Sequence, residues 1–117
     1  PKWDHIALRK MRELRHSPLW ESGDADGSAV ALSAILREYI ENRFKIHAPE
    51  LTTEEFLQEA AERQPWSDED QTELIGFFTA VDRIKFAAER PGREALDALM
   101  QAAERFVLVT GESEVST

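Results

Sequence analysis

Apolar residues recur at helical spacing along most of this chain, and no stretch alternates apolar and polar residues long enough to require a strand. The helical pattern occupies the segments 2–15, 28–45, 52–64, 67–88 and 93–109. Short connections separate these segments, and such connections favour antiparallel neighbours. In a chain of 117 residues the sequence therefore predicts an all-α fold, a compact antiparallel bundle of about five helices.

Capping residues mark two helix starts. Thr52 stands three residues before Glu55, which is the spacing of a capping box. Ser67 precedes three carboxylates, which the helix dipole favours in a first turn. Pro18 ends the first helix, and Gly111 is expected to cap the last one. We divide the chain into a basic amphipathic helix at 1–17, a helical bundle domain at 18–110 and a flexible tail at 111–117.

Charge is distributed unevenly along the chain. Over residues 1–16 five basic side chains stand against two acidic ones, whereas the remaining 101 residues carry 9 basic and 21 acidic side chains, a balance of −12. This acidic body argues against nucleic-acid binding, because duplex phosphates require a basic face. The basic start is typical of the cytoplasmic flank of a membrane span, and the predicted juxtamembrane basic residues are Lys2, Arg9, Lys10, Arg12 and Arg15. The alternative is an ordinary surface helix whose cations are solvated.

The sequence carries no recognisable catalytic motif. It has no Cys, so thiolate nucleophiles, disulfides and thiolate metal sites are excluded. His5, His16 and His47 belong to no zinc-binding helix and no nucleophile elbow, and we interpret them as surface residues. Glycine-rich phosphate loops are absent as well. We therefore expect no enzymatic activity, no cofactor and no metal.

The loop between the first two predicted helices partly matches a calcium site. Ser22, Asp24 and Asp26 would supply oxygens at its first, third and fifth positions, and Gly27 stands at the sixth. The twelfth position is Ser33 rather than the bidentate Glu of such loops. We interpret the loop as a turn followed by an N-cap, held by hydrogen bonds between side chains and backbone.

Three charged residues fall on or beside helix faces that are otherwise apolar. Arg43 lies within the apolar face of its segment, Lys85 lies within that of the segment 67–88, and Asp82 lies at the edge of the same face. Both cations occupy last turns, where the helix dipole favours them and long stems reach solvent. The alternative is a partly buried polar seam, in which Asp82 pairs with Lys85 or Arg43 and orients two helices or lines a partner groove.

Four strings, in this order and spacing, resemble a known family: LWESG at 19–23, LSAILREYIENRF at 32–44, APELTTEEFL at 48–57 and DRIKFA at 82–87. They are similar to the helical domain of uncharacterised single-span bacterial membrane proteins. The genes of those proteins lie beside MoxR-type AAA+ ATPases and von Willebrand A-domain proteins, in operons of the Bat or aerotolerance type. The likeness spans most of residues 3–109, and the family's polar, Tyr-containing segment is replaced here by residues 24–30.

The resemblance implies a cytoplasmic domain, tethered by a membrane span just upstream of residue 1, with no assigned catalytic activity. It also implies protein partners, namely the MoxR-type ATPase or the A-domain proteins. Arg43, Asp82 and Lys85 match the family strings without an assigned role. We accordingly expect a non-enzymatic interaction domain of a membrane-anchored accessory protein. The alternative is a ligand-binding or carboxylate- and metal-dependent enzyme domain with an interhelical pocket.

Overall fold

The computed structural model describes residues 1–46, 51–86 and 91–111, and within these ranges the chain forms six α-helices and no strand. The helices are α1 (Trp3–Arg15), α2 (Pro18–Glu21), α3 (Ala25–Phe44), α4 (Thr53–Arg63), α5 (Asp68–Phe86) and α6 (Arg93–Thr110). The all-α prediction is confirmed. Most of the predicted tail, residues 112–117, lies outside the described ranges.

The region after Pro18 is more helical than the sequence indicated. Pro18 begins the single turn of α2, because the Ser17 side chain accepts a hydrogen bond from the backbone N–H of Trp20. Helix α3 starts at Ala25, because an Asp24 carboxylate oxygen accepts the Gly27 N–H at 2.9 Å. The turn and N-cap expected in place of a calcium loop are thus present, although the cap stands earlier than predicted.

The four long helices alternate in direction around the core. The start of α1 lies against the end of α6, since a Cβ built on Gly111 would come within 2.6 Å of Asp4. Glu73 in the first half of α5 pairs with Arg105 in the second half of α6. The Tyr39 and Thr110 hydroxyls meet at 2.8 Å, so α3 runs parallel to α6. Helices α1, α3, α5 and α6 therefore form an up-down-up-down bundle.

Helix α3 is the central element, and it packs against α1, α2, α5 and α6. Aromatic rings close one end of the core: Trp66 lies edge-on to Phe44 and to Phe106, each at 5.0 Å between ring centres. The Trp66 indole N–H donates to Gln71, which leaves no donor unpaired on the ring.

Helix α4 begins with the predicted capping box, which is confirmed in both directions. The Glu55 N–H donates to the Thr52 hydroxyl at 3.1 Å, and the Thr52 N–H donates to the Glu55 carboxylate at 3.0 Å. The Ser67 cap of α5 is also present, with its hydroxyl accepting the Asp70 N–H. These local signals hold because each depends on residues three apart.

Candidate functional site

The structure separates the three residues of the predicted polar seam. Lys85 is exposed, with its ammonium 5.4 Å from the centre of the Phe86 ring. Arg43 is half-buried, and its guanidinium lies 4.6 Å from the centre of the Phe44 ring. Asp82 is half-buried and accepts a hydrogen bond from the Thr53 hydroxyl at 3.4 Å. Among the described residues Asp82 forms no ion pair with Lys85 or Arg43.

A different cation, Arg37 of α3, occupies the seam beside Asp82. Its guanidinium lies over the Phe56 and Phe78 rings, at 5.0 and 5.5 Å from their centres. It also donates to the Leu51 carbonyl at 2.9 Å and to the Thr53 hydroxyl at 3.0 Å. We call this group the Arg37 seam: Arg37, Leu51, Thr53, Phe56, Phe78 and Asp82.

The Arg37 seam fixes α4 against α3 and α5. Burial lowers the pKa of Arg37 below its ordinary value, and the nearby charge of Asp82 raises it in opposition. An arginine side chain stays charged in proteins, and the planar fork of Arg37 fits the carbonyl and hydroxyl acceptors of the seam. Sequence reasoning missed Arg37, because only its position at the border of the α3 apolar face hinted at burial.

The basic residues predicted to flank a membrane divide into two groups. Lys10 pairs with Glu38 of α3 at 2.6 Å, and Arg15 pairs with Glu104 of α6 at 3.0 Å. These two cations thus link α1 to α3 and α6 through partly exposed ion pairs. The other three are exposed: Lys2, Arg9 and Arg12. Of these, Arg9 forms only a loose pair with Glu13 on its own helix, at 3.9 Å.

Across the described part of the chain, no three His, Asp or Glu side chains gather where they could hold a metal ion. His5 and His16 are exposed, and His47 lies outside the described residues. None of the described helices combines the length and the apolar character that a membrane crossing requires.

A groove of about 840 Å³ opens between α5 and α6. Its walls are built from small residues: Gly76 and Ala80 on α5, and Ala95, Ala98 and Ala102 on α6. Larger apolar side chains, including Phe77 and Leu99, form the floor and belong to the core. Because small side chains face each other here, the two helices leave space between them that no other described element fills.

The groove carries a different charge at each end. At one end Arg105 places a guanidinium nitrogen 2.6 Å from both carboxylate oxygens of Glu73, so these two charges neutralise each other. At the other end stands Arg83, which is exposed and pairs with no acid among the described residues. The groove therefore offers an apolar channel with one cation available near its end.

Gly76 is the least expected residue in this wall. It lies in the middle of α5 and is exposed, and a Cβ built on it would meet nothing within 4 Å. Glycine inside a helix costs about 0.5–1 kcal/mol relative to alanine. No atom of the described chain lies close enough to exclude a Cβ at Gly76, and the position lines the groove.

Comparison with known proteins gives no match to a family model, to a curated protein or to a solved structure. The resemblance to the membrane proteins of Bat-type operons stays a prediction.

Proposed function

We propose that this domain is a non-enzymatic protein-interaction module that receives an α-helix of another polypeptide in the α5–α6 groove. The observation that carries the proposal is the groove itself, an open apolar channel whose walls are made of glycine and alanine. Helices dock in such grooves by laying an apolar face with i, i+3, i+4 and i+7 spacing against the floor.

The length of the groove suits a short helical segment. Ten residues of α5 separate Glu73 from Arg83, which corresponds to about 15 Å at 1.5 Å per residue. A docked helix would contact this length over roughly three turns. Its contact face is proposed to carry small or apolar side chains, since the groove is lined mainly by apolar residues.

Charge defines the rest of the occupant's chemistry. Arg83 has no acidic partner among the described residues, so a carboxylate on the docked helix would gain an ion pair there. The chain as a whole carries a net charge of −9, and that charge would repel strongly acidic partners at long range. The proposed occupant is therefore an amphipathic helix with a small-residue face and one carboxylate facing Arg83.

The wider assembly is proposed from the sequence resemblance alone. We propose that the domain is the cytoplasmic part of a membrane-anchored accessory protein in a system of a MoxR-type ATPase and von Willebrand A-domain proteins. The strings at 19–23, 32–44, 48–57 and 82–87 support this assignment. Components of such a system are consequently the first partners to test.

The test is co-expression of the chain with the MoxR-type ATPase and the A-domain proteins, followed by affinity purification. Gly76→Leu fills the groove without meeting any described atom at its Cβ, and Ala34→Leu adds the same side chain to an exposed site on α3. We expect the partner to be recovered with the wild type and with Ala34→Leu but lost with Gly76→Leu. Equal recovery with all three chains would contradict the groove as the docking site.

A further inference from the structure

Three residues on the outer side of α5 place an acid and a cation at equal distances on either side of a glycine. Glu69, Gly76 and Arg83 are spaced seven residues apart, so they lie along one line of the helix, and all three are exposed. The acid and the cation each stand seven residues from the glycine, at roughly 10 Å on either side along the helix. The pattern is therefore complementary to itself when the helix is reversed.

We propose that the helix received by the groove is α5 of a second copy of this chain, related by a twofold axis that passes at Gly76. Antiparallel pairing about Gly76 places Arg83 of each copy opposite Glu69 of the other and forms two identical ion pairs. Parallel pairing would instead place like charges together. This proposal rests on the proposed function, because it names the occupant of the same groove.

The small residues of α5 occupy the positions where such a pair would be most crowded. At the axis the two Gly76 residues face each other, and the absence of a Cβ lets the helix backbones approach closely. One turn away, Thr72 of each copy faces Ala80 of the other, again two small side chains. The docked helix then lies beside the alanines of α6, which form the second wall of the groove.

Charge also explains why the pairing would use this face in particular. Each copy carries a net charge of −9, so two copies repel each other in most orientations. On the line through Gly76, Arg83 meets Glu69 of the other copy. The Glu73 carboxylate already pairs with Arg105 of its own chain, so its charge repels the second copy less. The contact is small, so we expect a dimer that forms only at high protein concentration.

The test is sedimentation velocity of the chain from micromolar to millimolar protein, at low and moderate ionic strength. We expect reversible dimerisation in the wild type. Arg83→Glu alone and Glu69→Arg alone should each weaken the dimer about tenfold or more, because each sets like charges opposite one another twice. The double variant E69R/R83E restores both ion pairs in reversed polarity, and it should recover dimerisation.

Two matched variants control for the change in charge. Arg12→Glu on the exposed face of α1 changes the net charge as Arg83→Glu does, and Glu54→Arg places a cation in the first turn of α4 as Glu69→Arg does in α5. Neither should abolish the dimer. Gly76→Leu should abolish it, while circular dichroism confirms that every variant is folded.

The outcomes separate this inference from the proposed function. A chain that stays monomeric at every concentration overturns the inference, and so does a dimer that the double variant fails to rescue. If in either case Gly76→Leu still abolishes recovery of a co-expressed partner, the groove remains a docking site for another protein. If Gly76→Leu affects neither the dimer nor partner recovery, the proposed function fails as well.

Discussion

The Arg37 seam and the contacts between α1 and α6 are closed, whereas the seam between α5 and α6 is open and forms the groove. Both the closed seams and the open seam are built from the same types of residue. Each kind contains an arginine, a glycine and an interhelical ion pair. In the closed seams Arg37 is stacked and hydrogen-bonded, and Gly111 touches Asp4. In the open seam Arg83 and Gly76 meet almost nothing.

The comparison shows that residue type does not determine whether a charged or small side chain is structural. Neighbouring positions on one helix, Asp82 and Arg83, face opposite environments: the first contacts Thr53, and the second faces solvent at the groove. What differs is the surroundings, since Asp82 lies toward Thr53 of α4, whereas Arg83 lies at the open groove between α5 and α6.

The largest difference in the free energy of unfolding is expected between alanine variants of Arg37 and Arg83. Arg37→Ala removes two hydrogen bonds and uncovers two aromatic rings, and it should lower the free energy of unfolding by about 3 kcal/mol. Arg83→Ala should change it by less than about 0.5 kcal/mol. Urea unfolding of both variants checks this, and equal losses would remove the distinction between the seams.

The two glycines should respond in opposite directions to alanine. In Gly111→Ala the new Cβ would lie 2.8 Å from the Val107 carbonyl and 2.6 Å from Asp4, so we expect a loss of about 1–3 kcal/mol. Gly76→Ala meets no atom and should gain about 0.5–1 kcal/mol through helix propensity. Thermal melting of the two variants provides the measurement. A loss of stability in Gly76→Ala would show that the isolated fold needs this glycine.

The carboxylate of the closed seam is expected to contribute less than its arginine. Asp82→Asn keeps an acceptor for Thr53 but removes the charge beside Arg37, and we expect a loss of about 1 kcal/mol. Lys85→Gln, three residues away and exposed, is the matched control and should be neutral. Denaturant unfolding at neutral pH measures both. An Asp82→Asn variant as stable as the wild type would show that the charge of Asp82 does not stabilise the fold through Arg37.

The smallest difference is expected between the two interhelical ion pairs. Arg15 and Glu104 are 35% and 29% exposed, whereas Arg105 and Glu73 are 58% and 45% exposed, so the second pair is better screened by solvent. Double-mutant cycles should give about 0.5–1 kcal/mol for the first pair and under about 0.5 kcal/mol for the second. Added salt should reduce both coupling energies. A larger coupling energy for Arg105 with Glu73 than for Arg15 with Glu104 would contradict this prediction.

The features that sequence predicted are those set by near neighbours in the chain. The Thr52–Glu55 capping box depends on residues three apart, and apolar residues recur at helical spacing within each segment. The Arg37 seam could not be found in this way, because Phe78 lies 41 residues from Arg37 and meets it only through the crossing of α3 and α5. The sequence placed Asp82 at the edge of an apolar face, and one interpretation paired it with Lys85 or Arg43. The cation beside Asp82 is instead Arg37, which lies six residues before Arg43 on the same helix, α3.

The groove was beyond sequence reasoning for a related reason. A glycine in a helical segment normally reads as a loss of helix propensity, and only the positions of α5 and α6 reveal that Gly76 faces open space. Likewise, Arg15 finds Glu104 at a distance of 89 residues along the chain. Contacts of this kind follow from tertiary packing.

The contact of Asp4 with Gly111 has a consequence for anchoring. It places the start of α1 at one pole of the bundle, and the proposed twofold pairing through α5 would set the two copies antiparallel, with their α1 starts at opposite poles. Two chains held in the same membrane by spans just before α1 could pair only if one linker ran the length of the bundle. The long dimension is 38 Å, so that linker would need about 11 extended residues at roughly 3.4 Å each. With a shorter linker, the pairing of the two α5 helices would instead join chains that are anchored in two apposed membranes.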